Sequence, residues 1–494
     1  MRKITASIIL PLIAALALSV CSSDPIRTVT IFYTSDEHGY LEPVRDDAKS
    51  LGGAAGLMAL LRSNGYDPQA KTSILLSGGD MWAGPAISSW FQGIPSIQVA
   101  NAMGYDAAVI GNHEFDFGQV KLLENQEAAD FPFLSANIIE EKTGKLPEYV
   151  QPYLLKEING VKTAVIGLAG VFTPYIVVPS NVEGLQFTPY EKALRETVPL
   201  VRAQGAELTI VVAHACPDDL SKLAPVAAEL SVPLLAGAQC HSMENIEQDG
   251  IRILGAGAHM EAFARVDISI DSVTGKVLHT NVNLVPVEFP PTGDRVPPDA
   301  AIDAIVSEWS VKVEEELGDV IGYSESGIKV GWSLYNLLVD SWLWAHPEAD
   351  IAVSNFGGYR ERLPAGPIKK SDIVATWPFD NTLVEVELTG KQLMENLQCC
   401  GGAVSGITYG KSNGRFYVRM KNGDPIDLDA DYRVLVNSYI YEGGDRFMFS
   451  KQNPRGRIVQ SNYRDPVIEW IVSGNTSREH PLEELLDTEP RSPG

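Results

Sequence analysis

No basic stripe runs along this chain. Its 494 residues carry 39 Lys and Arg against 63 Asp and Glu, a formal net charge of −24. A protein that holds a nucleic-acid polymer must replace counterions around many phosphates with its own cations, so that class of partner is not expected. A small anionic substrate is compatible, because a bound metal reverses the sign of the local field. Beyond residue 23 no apolar run reaches the roughly 20 residues that a membrane span needs. No internal repeat is visible, and 43 Gly and 31 Pro leave the chain neither low-complexity nor fibrous. Cysteine is scarce, with five residues in all. Adjacent Cys399 and Cys400 are not expected to bridge each other, because that geometry is strained. Cys216 and Cys240 can pair if their loops meet, with buried free thiols as the alternative.

The chain is too long for one ordinary core, so two domains are expected. Residues 1–23 read as a targeting segment. Arg2 and Lys3 precede an apolar stretch, 4–20, that is interrupted by Pro11, a pattern that fits a secretory signal. Leu18-Ser19-Val20-Cys21 resembles a bacterial lipoprotein cleavage box with Cys21 as lipid acceptor, and Ala15-Leu16-Ala17 offers an ordinary cleavage site instead. The expected location is therefore the bacterial cell envelope, lipid-anchored or else periplasmic or secreted. Over 24–285, short buried strands (28–35, 72–78, 106–111, 161–169, 207–213, 232–237) alternate with helical patterns such as 54–63 and 190–204, which predicts an α/β layered domain. Residues 286–318 hold a Pro-rich linker, 286–298, and an amphipathic helix with Ile302, Ile305, Trp309, Val313 and Leu317 on one face and Gly318 as its stop. A second domain, 319–473, shows a strand at 382–388, a capping box from Thr389 to Gln392, and a hairpin strand at 415–420 with its turn at Asn422-Gly423. The polar tail, 474–494, is expected to be loose.

The chemistry of the first domain lies just past its predicted strands. After 28–35 comes Asp36-Glu37-His38. After 72–78 come Gly79 and Asp80, and after 106–111 come Asn112 and His113. After 207–213 comes His214, and after 232–237 come Gln239 and His241. Any one of these is an ordinary turn. Five strand ends each delivering a hard or imidazole ligand are not independent turns, and in an open α/β sheet such ends share one crevice. Four of the chain's eight histidines fall there. Asp, Asn and His together suit two divalent ions bridged by a carboxylate, with a trapped water that becomes hydroxide near neutral pH.

The ordered set Asp36-Glu37-His38, Gly78-Gly79-Asp80, Gly111-Asn112-His113-Glu114-Phe115-Asp116, Ala213-His214 and a terminal His241 resembles the calcineurin-like metallophosphoesterases, and within them the 5′-nucleotidase and 2′,3′-cyclic phosphodiesterase branch. The resemblance implies an α/β four-layer metallophosphoesterase sandwich, a linker helix and a smaller α+β substrate-binding domain. It implies Asp36, His38 and His241 at a first metal, Asp80 as bridge, and Asn112 and His214 at a second. It makes His113 the proton donor or charge stabiliser, oriented by Asp116. The ions would be two of Mn, Zn, Co or Fe. In the second domain, Asn355-Phe356-Gly357-Gly358-Tyr359-Arg360 resembles the branch's N-x-G-G-x-R motif, with Arg360 on phosphate and Asn355 on the base. Tyr439 and Gly443-Gly444-Asp445 resemble its base-stacking aromatic and ribose-binding Asp. The activity implied is metal-dependent hydrolysis of phosphate esters, nucleotides above all, by a metal-bridging hydroxide. Other readings are a nucleotide-binding lipoprotein without turnover, or the same fold acting on cyclic phosphodiesters, nucleotide sugars or a sulfur-carrier substrate.

The chain departs from the branch's pattern in three places. Gln239 stands where a second-metal histidine is expected, and a neutral amide oxygen is a weaker ligand for borderline metals. The usual Arg near 327–338 is missing, with Lys329 the nearest cation. Cys399-Cys400-Gly401-Gly402 stands where a second base-clamping aromatic is expected, leaving Trp332 as a substitute. His259 and His346 lie outside the motifs and read as structural.

Overall fold

The computed structural model describes residues 26–45, 50–289 and 296–492. The leader, Cys21 and the middle of the Pro-rich linker lie outside them. Two six-stranded sheets build the first half. One runs Val277–Pro286, Ala262–Asp271, Ile26–Thr34, Ser73–Ser77, Ala107–Val109, Phe133–Leu134, and the other runs Met243–Gln248, Ile251–Ala256, Leu234–Gly237, Leu208–Ala213, Val161–Leu168, Tyr153–Ile158.

Period-two alternation sorts these strands into layers. Val29, Ile31, Tyr33, Ile74, Leu76, Ala107 and Val109 of the first sheet meet Val165, Leu208, Ile210, Val212, Leu234 and Ala236 of the second in one buried cluster. The residues between them face the other way. Phe32, Leu75 and Ala108 pack beneath the helices Ala54–Ser63 and Ile94–Met103. Val211, Ala213 and Leu235 pack beneath Tyr190–Ala203 and Pro217–Glu229. The result is helix, sheet, sheet, helix.

The helix Ala300–Leu317 is opened by Asp299, whose side chain accepts from the amides of Ala301 and Ile302. It buries Ile302, Val306 and Trp309 on the first half. At its far end Leu317 meets Ala86 and Val374, and Glu314 pairs with Lys369 of the second half. There, a five-stranded mixed sheet runs Ala403–Ser405, Ile351–Ser354, Asp431–Asn437, Leu383–Thr389, Arg457–Gln460. The helices Trp332–Ala345 and Asp465–Ser473 cover one face of this sheet, and Gly390–Cys400 covers the other.

Four expectations need correcting. The ligand-bearing strands do not share one sheet: three belong to the first and two to the second. The strand Arg415–Met420 has a longer partner than expected, Ile407–Ser412, joined through Asn413-Gly414, both left-handed; the expected Asn422-Gly423 turn also forms and returns the chain to an antiparallel bridge between Arg419 and Pro425. Both dipeptides have the chemistry of a hairpin turn, and both turn the chain back, with the longer pairing at the first. The tail is docked rather than loose. Leu482 is fully buried in the second half's core, and Arg491 pairs with Asp340 and Asp487. Lastly, Cys216 and Cys240 are disulfide-bonded with Cα atoms 5.2 Å apart, and Cys399 is bonded to Cys400. That second bond runs against expectation, at the last turn of a helix that ends in left-handed Gly401.

Candidate metal centre and substrate cleft

Parallel strands present their carboxyl ends together. Ile26–Thr34, Ser73–Ser77 and Ala107–Val109 are mutually parallel, as are Leu208–Ala213 and Leu234–Gly237. The two packed sheets therefore bring five loops to one edge. Asp36, Asp80 and His214 converge with ligand atoms within 4.8 Å of one another, as do His38, Asp80 and His113. His214 Nε2 lies 3.2 Å from Asp80 Oδ2, and His38 Nε2 lies 3.9 Å from the same oxygen. His241 Nε2 is 3.0 Å from His38 Nε2 and 3.9 Å from Asp36 Oδ1. Asp80 is the one carboxylate common to these two triads.

The backbone is strained where the ligands sit. Asp36, His38, Asp80, Gln239 and His241 all have φ between 47° and 71°, a left-handed conformation that costs a non-glycine residue about 1–3 kcal/mol. Such strain persists only where the surroundings impose it. Here Gln239 N donates to both Asp36 oxygens at 2.8 and 3.0 Å, and His38 N donates to Asp80 O at 2.8 Å. Gly111 leaves the cradle open, since a Cβ there would stand 2.2 Å from Asp80 Oδ1 and 2.8 Å from His214 Cε1.

The donor set fits divalent cations. Asn112 Oδ1 and His214 Nε2 are buried without hydrogen-bond partners among the described residues, an arrangement that costs free energy unless another ligand satisfies them. His214 donates through Nδ1 to Gly78 O at 2.9 Å, which leaves Nε2 as the coordinating lone pair. Burial pushes the Asp36 carboxyl up to about 7, despite the opposing field of His214. Burial acts the same way on Asp80, yet the facing His214 and His113 hold its carboxyl well below the usual range.

Two buried carboxylates escape a reading of the sequence. Glu114 accepts from the amides of Gly111, Asp80 and Met81 at 2.6–2.9 Å, binding the second and third loops together. Glu37 accepts from Thr34 and Ser77 at 2.6 and 2.8 Å and does the same for the first and second. Burial pushes both up to about 7.

His113 faces the second half. Its Nδ1 is 2.7 Å from Asp116 Oδ2, and its Nε2 is 2.9 Å from Arg360 Nη2. Arginine can only donate, so Nε2 accepts and Nδ1–H donates to Asp116. Burial alone would lower the His113 pKa, but Asp116 and Asp80 outweigh it and raise it. Phe379 supports both partners. Its ring stacks on His113 at 6.0 Å, and the Arg360 guanidinium lies 5.4 Å above it. Arg360 Nε is buried and unpartnered among the described residues.

The strands Ile351–Ser354 and Asp431–Asn437 are also parallel, so Asn355 and Tyr439 emerge side by side. Asn355 Nδ2 donates to Asp445 Oδ2 at 3.0 Å, Tyr439 Oη donates to Asp445 Oδ1 at 2.7 Å, and Asn437 Nδ2 donates to Asn355 Oδ1 at 3.1 Å. A cavity of ≈ 580 Å³ joins these groups to the metal end. Asn355, Gly358, Arg360, Tyr439 and Asp445 line it, as do His38, Asp80, Asn112, His113, Asp116, Gln239 and His241. Asp36 and His214 sit buried behind that wall. Lys329 and Trp332 do not reach it and line a separate groove beside Glu483. Trp332 instead meets Phe356 edge-on at 6.2 Å.

Residues 324–451 match the family described as 5′-nucleotidase, C-terminal domain. A 5′-nucleotidase of Vibrio cholerae is 27% identical over 484 residues, covering 86% of each chain. Endonuclease YhcR of Bacillus subtilis is 27% identical over 408 residues, 75% of this chain, which spans only 33% of that much longer protein. The crystal structure of a 5′-nucleotidase precursor from Thermus thermophilus superposes with a TM-score of 0.79 at 23% identity, covering 94% of this chain and 99% of that one.

Proposed function

We propose, for a chain that belongs to the 5′-nucleotidase family, that it hydrolyses phosphate esters of nucleotides with two divalent ions. Asp36, His38 and His241 would hold the first ion and Asn112, His214 and Gln239 the second, with Asp80 available to both. When bound, such a pair supplies a water deprotonated near neutral pH and positive charge for the phosphoryl oxygens. The chain's own residues do the rest. Arg360 offers a planar, always-charged fork to the phosphate. A phosphate that engages it competes with His113 for the guanidinium. His113 Nε2 is then free to carry a proton to the leaving oxygen, while Asp116 keeps the ring oriented. Tyr439 presents a stacking face to the base, worth roughly 1–3 kcal/mol, and Asp445 and Asn355 offer polar contacts to the rest of the nucleoside.

The observation that carries this reading is the contact between Arg360 and His113 at 2.9 Å, across the cavity that the metal ligands share. The Cys216–Cys240 bond agrees with an oxidising envelope compartment, as the leader sequence predicts.

The test loads metal-free protein with Mn²⁺, Co²⁺, Zn²⁺ or Ca²⁺ and offers AMP, a chromogenic phosphomonoester and a diester. Phosphate release from AMP is expected, with a fall of about 10²–10⁴-fold in His113→Ala. Tight AMP binding without release under every metal would establish a nucleotide-binding protein without turnover instead.

A further inference from the structure

We propose that His259 is a third imidazole donor at the first-metal end, joining His38 and His241, and that it makes this end selective for zinc or cobalt over manganese. The proposal rests on the two-metal reading and deepens it.

The strand Ile251–Ala256 is parallel to Leu234–Gly237, so its carboxyl end reaches the same edge as the other ligand loops. The turn beyond it carries His259 and Met260 in left-handed backbone, φ 57° and 56°, the same strain seen at the other ligands. The turn is pinned to the first loop. His259 N donates to Asp36 O at 2.8 Å, and Ser35 Oγ donates to Gly257 O at 3.1 Å. The His259 ring lies 5.7 Å from that of His38 and 5.2 Å from that of His241, with Tyr40 stacked on it at 4.0 Å and 23°. One nitrogen from each of the three rings falls within 4.8 Å of the other two. Nitrogens bound at about 2.0–2.1 Å to one ion are at most about 4.2 Å apart, so small ring movements close the set. Among the described residues neither His259 nitrogen has a hydrogen-bond partner, and Tyr40 holds the plane without using them.

Three imidazoles suit zinc and its neighbours, whereas carboxylate, amide and water oxygens suit manganese. The first end is then rich in nitrogen. The second, with Asn112 and Gln239 beside a single His214, is rich in oxygen. The two ions are held by unequal sites.

Metal-free protein would be titrated calorimetrically with Zn²⁺ and separately with Mn²⁺, comparing wild type with His259→Asn. Asparagine is chosen because it tolerates left-handed backbone, and the variant's melting curve checks its fold. The expected result is a loss of at least about 10-fold in the tighter Zn²⁺ site, with Mn²⁺ affinity barely moved. A second measurement needs no variant: Co²⁺-loaded wild type should show hyperfine-shifted ring N–H resonances from His259 as well as from His38, His214 and His241. Unchanged Zn²⁺ affinity in a folded variant, or no shifted resonance from His259, overturns the proposal while leaving the two-metal reading intact. No cation bound by wild type at any loading overturns both.

Discussion

At the scale of single residues, the site is a set of side chains whose freedom has been removed. The imidazole of His113 is fixed at both nitrogens, by Asp116 on one side and Arg360 on the other. Asp116→Asn should therefore lower kcat by about 10–100-fold with metal content and KM for AMP little changed, measured by steady-state kinetics and elemental analysis of the same preparation. The candidate ligands can be picked out in the sequence because each follows an apolar run within a few residues, and such runs end at one edge of an α/β fold. Glu114, Phe379 and Tyr40 are not legible. Glu114 accepts from amides in two separate loops, at Asp80-Met81 and at Gly111. Phe379 and Tyr40 also depend on partners far off in the chain, His113 for the first and His259 and Glu361 for the second, and no local spacing encodes such contacts. His259 reads as structural because its motif neighbours are unremarkable, and only the parallel Ile251–Ala256 strand brings it to the edge.

At the scale of elements, alternation and capping carry most of the fold. The predicted strands 72–78 and 207–213 form as Ser73–Ser77 and Leu208–Ala213, and the Thr389–Gln392 box opens its helix with both reciprocal hydrogen bonds. The distribution of strands between two sheets is not legible, because a strand buried on both faces reads the same in either. The tail misleads because its sequence is polar while its attachment rests on few side chains. Glu483 is one of them. It accepts from Ser324 Oγ at 2.7 Å and from the amides of Ser326 and Glu325 at 2.9 and 3.2 Å. Partial burial opposes its charge, but these donors win and hold its carboxyl at about 2, below the ordinary 4.5. A folded-state pKa lowered in this way stabilises the fold fully above about 4.5 and loses that effect as pH falls towards about 2. Melting temperatures of wild type and Glu483→Gln should differ at pH 6, draw together as pH falls through about 4.5, and converge only at or below about pH 2, and a constant gap across that range would refute the assignment.

At the scale of the whole molecule, the cleft belongs to neither half alone. Arg360 meets His113, Tyr40 donates to Glu361, and Ser180 donates to Glu442, each contact crossing from one half to the other. Tyr40 has two separable duties, since its ring stacks on His259 while its hydroxyl reaches Glu361. Tyr40→Phe keeps the first and removes the second. Losing a hydrogen bond to a charged group, about 1.5–3 kcal/mol, should raise KM for AMP by about 10-fold or more while zinc affinity holds. A fall in zinc affinity with KM unchanged would reverse the two duties.

The Cys216–Cys240 bond has a consequence for how the protein is made. Cys216 lies two residues beyond His214, and Cys240 lies between Gln239 and His241, so one covalent brace ties together two of the five loops. A crosslink spanning 24 residues contributes typically about 2–4 kcal/mol, and here that contribution falls on the rim of the candidate metal centre. Chain produced in a reducing cytoplasm should leave the cell under-loaded with metal, and oxidation during purification should restore its uptake. The same gene product exported before folding should arrive fully charged, a contrast that elemental analysis of the two preparations would settle.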